Sequence, residues 1–207
     1  MLITPEKLRK IVENLSLERA STISGLINEI CPKYGINSKD ILEEFLATLA
    51  HESGGFRLKS ENLNYTRPEL IVKTWATRFN VQTAAPLVRN PRLLANKVYN
   101  GRMGNRNGTD DGFIFRGAGF IQATGRDMFE KMKAYFKYAG TPEQLADLIR
   151  TDDKWAMESA CYIFAVDKQL IDEAMDDKFE TVTRRINGGL IGWADRQKYL
   201  ALCKQFL

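Results

Sequence analysis

The chain has one histidine, His51, and only three cysteines among 207 residues. That scarcity removes several chemistries. Gly55 stands four residues after His51, so His51-Glu52 opens no zinc-protease motif, and no His/Cys cluster closes a structural zinc site. Cys31, Cys161 and Cys203 are odd in number, far apart and form no CxxC pair; they read as reduced thiols serving as small buried hydrophobes. There is no G-x-S-x-G elbow for a serine hydrolase and no G-x-x-x-x-G-K-[ST] phosphate loop. Gly117-Ala-Gly119 matches a dinucleotide fingerprint only to its second glycine and lies in no strand-helix-strand unit. Metal, nucleotide and serine chemistry fall away, and no cofactor or metal is called for.

Long apolar runs are also missing, which excludes a membrane-spanning helix. The first residues, Met1-Leu-Ile-Thr-Pro-Glu-Lys7, lack a basic segment followed by an apolar stretch, so the sequence predicts a protein made in the cytoplasm. Neither sign of charge dominates: 30 basic against 26 acidic residues leave a net charge of +4, a mild preference for a polyanionic partner. That excess does not choose among nucleic acid, an anionic envelope and an acidic polymer.

What is present is an ordinary globular composition, 44% hydrophobic and 27% charged. The length supports one core, or one core with a small second lobe. Helical periodicity predominates, with proline and glycine at helix ends. It predicts helices near 5–14, 17–30, 38–53, 68–79, 84–89, 92–99, 127–138, 142–149, 153–166, 169–175, 179–186 and 194–206. Only Phe113 to Ala123 reads as extended, and its glycines argue against a long strand. The fold class is all-α. Two loops interrupt the helices, 53–66 and 100–112, and composition alone makes the second a solvated, mobile turn. No repeat, linker or separate wall-binding module is evident.

Carboxylate chemistry remains. Leu42, Phe45, Leu49 and Glu52 are spaced three, four and three apart, so Glu52 extends an apolar helix stripe. It also falls beside the negative end of the helix dipole. An apolar surround and the dipole both favour the protonated carboxyl, which suits a proton donor; the competing expectation is a structural glutamate paired with a buried Arg or Lys. Glu61 lies nine residues on, in the polar run Ser60-Glu-Asn-Leu-Asn-Tyr65, where it should stay ionised. Two carboxylates in unlike environments are what acid/base cleavage of a glycosidic bond requires, although an exposed loop carboxylate would read the same way. His51 points about 100° away from Glu52 around the helix and is read as a packing or supporting residue. Trp75, Trp155 and Trp193 are read as buried aromatics.

Four segments resemble a known family in their order and spacing. They are His51-Glu-Ser-Gly-Gly-Phe56, Glu61-Asn-Leu-Asn-Tyr-Thr66, Phe115-Arg-Gly-Ala-Gly-Phe-Ile-Gln-Ala-Thr-Gly-Arg126 and Ile186-Asn-Gly-Gly189. Together they resemble bacteriophage endolysins of the glycoside hydrolase family 19, chitinase-like type. Asn96-Lys-Val-Tyr-Asn-Gly-Arg-Met-Gly-Asn105 resembles a Tyr and Gly-Asn loop of those lysins. The resemblance runs from about residue 40 to 200 and implies a lysozyme-like bilobal helical fold with a substrate groove. It implies one catalytic domain over 1–207, with a large lobe at 1–67 and 111–207 and a smaller helical lobe at 68–110. Glu52 matches the family's general acid, Glu61 its general base, and Thr124 the hydroxyl residue that positions the water or the base; without the resemblance Thr124 would be read as a helix N-cap. Gln122 and Asn187 match sugar-binding amides, and Tyr65 and Arg116 are carried over as substrate contacts. Arg116 reads equally well as a structural ion-pair partner. Two positions depart from the pattern: Ala118 stands where members commonly have Arg, and Met128 where they tend to have Asn.

The implied activity is endolysin hydrolysis of the β-1,4 bond between amino sugars of peptidoglycan. An inverting mechanism would set the carboxyl groups roughly 6.5–9.5 Å apart. Implied too are a monomer without a nucleic-acid partner, attraction to the anionic envelope, and a separate phage pore protein that releases it from the host cytoplasm. The rivals are a chitinase, a lytic transglycosylase, and a non-catalytic glycan- or nucleic-acid-binding protein using Arg89, Arg92, Lys97, Arg102 and Arg106.

Overall fold

The computed structural model describes residues 1–207. Helices carry the fold, and the only β pairings are isolated bridges, Ser60 with Ala118 and Ala118 with Ala123. The all-α expectation holds. In chain order the helices begin with α1 (Pro5–Ile11), α2 (Leu17–Ile30), α3 (Lys39–Glu52), α4 (Pro68–Thr74), α5 (Val81–Ala84) and α6 (Pro91–Tyr99). They continue with α7 (Asp111–Ile114), α8 (Arg126–Tyr135), α9 (Pro142–Thr151), α10 (Asp153–Tyr162), α11 (Ile171–Met175), α12 (Phe179–Asn187) and α13 (Trp193–Phe206). Their starts follow from side-chain caps: Thr4, Ser16 and Ser38 accept the backbone N–H of Lys7, Arg19 and Ile41.

The chain divides into two compact units, one of residues 1–59, 119–122 and 148–207, the other of residues 60–118 and 123–147. In the first, α2 buries Ile23, Ile27 and Ile30, α10 buries Met157 and Cys161, and Phe45 of α3 meets Phe164 edge-on at 5.2 Å. Helix α3 packs along α13. In the second, Leu63, Ile71, Leu87, Leu94 and Val98 form a small core, with Tyr65, Trp75 and Phe79 half-buried against it. Phe115 and Phe129 pack with tilted rings, 5.4 Å between centroids, in the same unit.

Four expectations are corrected. The helix expected over 68–79 stops at Thr74, and 84–89 is the end of α5 followed by a 3-10 turn at Ala85–Leu87. Apolar residues at helical spacing must reach one core, and a turn with Phe79 N–H bonded to Trp75 O achieves this without continuous helix. The stretch 113–123 is not extended: residues to Ile114 belong to α7, and 119–122 form a tight turn closed by the two hydrogen bonds between Ala118 and Ala123. Loop 100–112 is not a free turn. Asn100 accepts from Gly112 N and donates to Thr109 O, while Asn105 donates to Tyr99 O and accepts from Arg126 N. Asp111, 1% exposed, receives guanidinium hydrogen bonds from both Arg106 and Arg126, which hold its carboxyl well below the usual range. Gly112 is required here, since a Cβ would stand 2.6 Å from Ala95 O on α6.

One buried carboxyl has no such support. Glu44, on α3 and 1% exposed, has neither side-chain oxygen hydrogen-bonded.

Candidate active site

Helix α3 presents Glu52 in its last turn, on the stripe that buries Leu42, Phe45 and Leu49. The turn that follows is stitched by Ser53, whose Oγ donates to Leu49 O and accepts Phe56 N–H. Gly54 and Gly55 take left-handed backbone there, and Phe56 is buried edge-on to Phe120 at 5.5 Å. The Glu52 side chain is 18% exposed and pairs through Oε1 with a terminal nitrogen of Arg196 on α13. Arg196 is 1% exposed, and its other terminal nitrogen is buried without a partner. The expectation of an apolar surround for Glu52 therefore loses its premise: a buried cation sits against the carboxyl, as the competing expectation required.

Beside that pair, His51 Nδ1 lies 2.6 Å from Asp195 Oδ2, so consecutive residues of α3 meet consecutive residues of α13. The imidazole packs on Gly192, where a Cβ would stand 2.4 Å from the ring. His51 thus acts through packing and its neighbours, as read from the sequence. Asn187 ends α12, which Gly188 caps in left-handed backbone. Its Nδ2 donates to Ile191 O at 3.4 Å, and Arg196 Nε donates to the same carbonyl at 3.4 Å. Asn187 and Glu52 are therefore linked through Arg196 and Ile191 within the first unit. Gln122, also in this unit, turns its Nε2 back to Gly119 O at 2.9 Å from a left-handed backbone conformation. Gly119 permits that turn, because a Cβ would meet Ser159 Oγ at 2.7 Å.

Glu61 belongs to the second unit. Its backbone N–H bonds to Gly117 O at 2.9 Å, its Oε2 accepts Gly117 N–H at 3.1 Å, and its Oε1 accepts the Tyr99 hydroxyl at 2.7 Å. Burial first, then the nearby Glu61 charge, pushes the Tyr99 phenol far above its ordinary value, so it remains a proton-bearing donor. Arg116 lies over the Phe113 ring at 4.2 Å and donates to Phe113 O at 2.7 Å and, more loosely, to Ser60 Oγ. Burial lowers its pKa while the charge of Glu61 opposes that shift. Tyr65 reaches Thr74 with its hydroxyl at 3.3 Å and meets Trp75 edge-on at 5.7 Å. Thr124 is half-buried between the paired Ala123 and Gly125; the N-cap of α8 is Gly125, so Thr124 is not the cap that local sequence suggests. Ala118 is 1% exposed, which leaves no open space for the arginine common at that position.

The sequence reading assigned no role to Arg196 or Tyr99. Arg196 lies 144 residues from Glu52, and no local pattern links them. Tyr99 is 38 residues from Glu61, and only its place in the Asn96–Asn105 segment singled it out. The tryptophans are half-buried rather than fully enclosed; Trp193 packs against Phe179 at 5.6 Å and Trp75 against Phe79 at 6.3 Å.

No family model matches the chain. A protein of Haemophilus influenzae described as a glycosyl hydrolase family 19 domain-containing protein is 39% identical over 162 residues, covering 76% of each chain. With that identity over most of its length and an all-helical fold, the chain belongs to glycoside hydrolase family 19.

Proposed function

We propose that the chain is an endolysin that hydrolyses the β-1,4 bond between amino sugars of bacterial peptidoglycan. Glu52 protonates the leaving oxygen, and Glu61 deprotonates a water that Thr124 also holds and that attacks the anomeric carbon. The observation that carries the reading is that this family 19 chain has a carboxylate at both motif positions, Glu52 in the last turn of α3 and Glu61 nine positions on. Glu52 is largely buried against Arg196, whereas both oxygens of Glu61 accept neutral donors, Tyr99 Oη–H and Gly117 N–H. In this reading Asn187, Gln122, Tyr65 and Arg116 contact the glycan. Gln122 must then exchange its bond to Gly119 for one to sugar, and Arg116 serves through its exposed edge while anchored to Phe113.

The short connection between Glu52 and Glu61, nine residues, favours the lysin over a chitinase. The net charge of +4 suits an anionic envelope. Of the cations a nucleic-acid binder would use, Arg92 and Arg106 are already paired with Asp110 and Asp111. No helix is long and apolar enough to cross a membrane. The enzyme works as a monomer without a cofactor, and a separate phage pore protein brings it from the host cytoplasm to the wall.

Release of new reducing ends from purified peptidoglycan tests this. The wild type should release them, and Glu52→Gln, which keeps shape and removes the acid, should lose about 10²–10⁴-fold. Solubilised wall without reducing ends would point to a transglycosylase or to peptide-bond cleavage; cleavage of chitin alone would identify a chitinase.

A further inference from the structure

The first unit is assembled from two long pieces of chain, 1–59 and 148–207, separated by the whole of the second unit. Cys31, at the end of α2, and Cys161, on α10, come from different pieces, and their sulfurs lie 3.7 Å apart. Both residues are 0% exposed. The same junction is held by Tyr34, which donates to Glu158 Oε2 at 2.6 Å, and by the bond from Lys154 to Glu29 at 3.0 Å. These contacts fix the helix ends that carry the two thiols. No metal-ligating cluster includes either sulfur, and neither thiol takes part in the chemistry proposed for Glu52 and Glu61.

We propose that Cys31 and Cys161 form an oxidative modification site, closing to an intramolecular disulfide that staples the two pieces of the first unit when the chain meets a small-molecule disulfide. The sulfurs, 3.7 Å apart, must approach by less than 2 Å to reach the roughly 2.05 Å of a bond. One cysteine thiolate attacks the small disulfide, forming a mixed disulfide and releasing one small thiol. The second cysteine sulfur then displaces the other small thiolate, which takes up a proton. Two electrons pass from the protein to the reagent, which leaves as two thiols.

Burial has two effects. Desolvation pushes the Cys161 thiol up, which makes the first attack slow in the folded protein. Once one sulfur is captured, however, the second lies in contact with it. The third thiol, Cys203, lies on α13 and is the internal reference. The bond would close a loop across 130 sequence positions, the long-loop case in which a cross-link most restricts the unfolded chain.

The full chain is refolded in reduced and oxidised glutathione, so that access to the thiols does not limit the outcome, and separately held folded in the same mixture. Thiols are then counted under denaturing conditions and linked peptides mapped. The expected product is a monomer two hydrogens lighter with one thiol left, a peptide joining residues 31 and 161, and a melting temperature higher by on the order of 5–10 °C. Cys203→Ser should reproduce the link and the shift, and Cys31→Ala should abolish both. Three thiols surviving refolding, a glutathione adduct at either cysteine without ring closure, or a link to Cys203 would each overturn the proposal.

Discussion

Replacing Glu44 by glutamine should stabilise the protein above neutral pH and leave it nearly unchanged in mild acid. Glu44 is 1% exposed and both its oxygens lack a partner. The charges facing it give little relief: Asp177 and Glu43 repel its ionised form, and the one cation, Lys204, is already bonded to both oxygens of Asp177 at 2.7 and 2.8 Å. Burial is the largest cause that raises its pKa from 4.5 to about 8. A carboxyl raised in the folded state contributes its full stability below 4.5. Stability falls between 4.5 and 8, where the unfolded chain releases the proton and the folded one keeps it, and levels off above 8. At about 1.4 kcal/mol per pH unit, the native state has lost roughly 3 kcal/mol by pH 7 and roughly 5 by pH 8 and above. Glutamine keeps the shape and an unpaired polar end but has no proton to lose. Urea unfolding at pH 4, 7 and 8.5 should therefore give midpoints that nearly coincide at pH 4 and diverge above it, with Glu44→Gln more stable by about 3 kcal/mol at pH 7. Parallel pH profiles for the two proteins would refute the reasoning, because Glu44 would then be ionising without penalty in the native state.

Tyr99→Phe removes the hydroxyl that donates to Glu61 and keeps the ring, so it should lower kcat on peptidoglycan about 5–50-fold with KM nearly constant; an equal change in KM alone would place Tyr99 in binding instead. Asp111→Asn leaves the guanidinium groups of Arg106 and Arg126 facing an amide at a position 1% exposed, and should cost about 3–5 kcal/mol in urea unfolding at pH 7. The Asp111 carboxyl is held below its ordinary 3.8, so the stability it contributes is present above that pH and lost below it; acid unfolding of the wild type should be steeper than that of Asp111→Asn.

The order of helices and the all-α class were legible because caps, proline starts and helical periodicity are local: Thr4, Ser16 and Ser38 each act within three residues. The same locality misled at 68–79 and 113–123, where side-chain spacing records which residues share a core and says less about whether the backbone between them is helix or turn. In loop 100–112, alternating glycine, asparagine and charge suggested solvent exposure. Asp111 there is buried by bonds to Arg106, five residues before it, and Arg126, fifteen after.

The site divides along the same line. Sequence by itself determined the available chemistry, because a chain with one histidine, no metal cluster and no nucleophile elbow leaves carboxylates, and the helix stripe singled out Glu52. Only the tertiary structure decided what touches them. Arg196 reaches Glu52 across 144 residues and Tyr99 reaches Glu61 across 38, and each contact changes the electrostatics or hydrogen bonding of its carboxylate. Helix periodicity identifies the face a residue occupies; the side chain that covers that face is set by how distant helices pack, which no local pattern encodes.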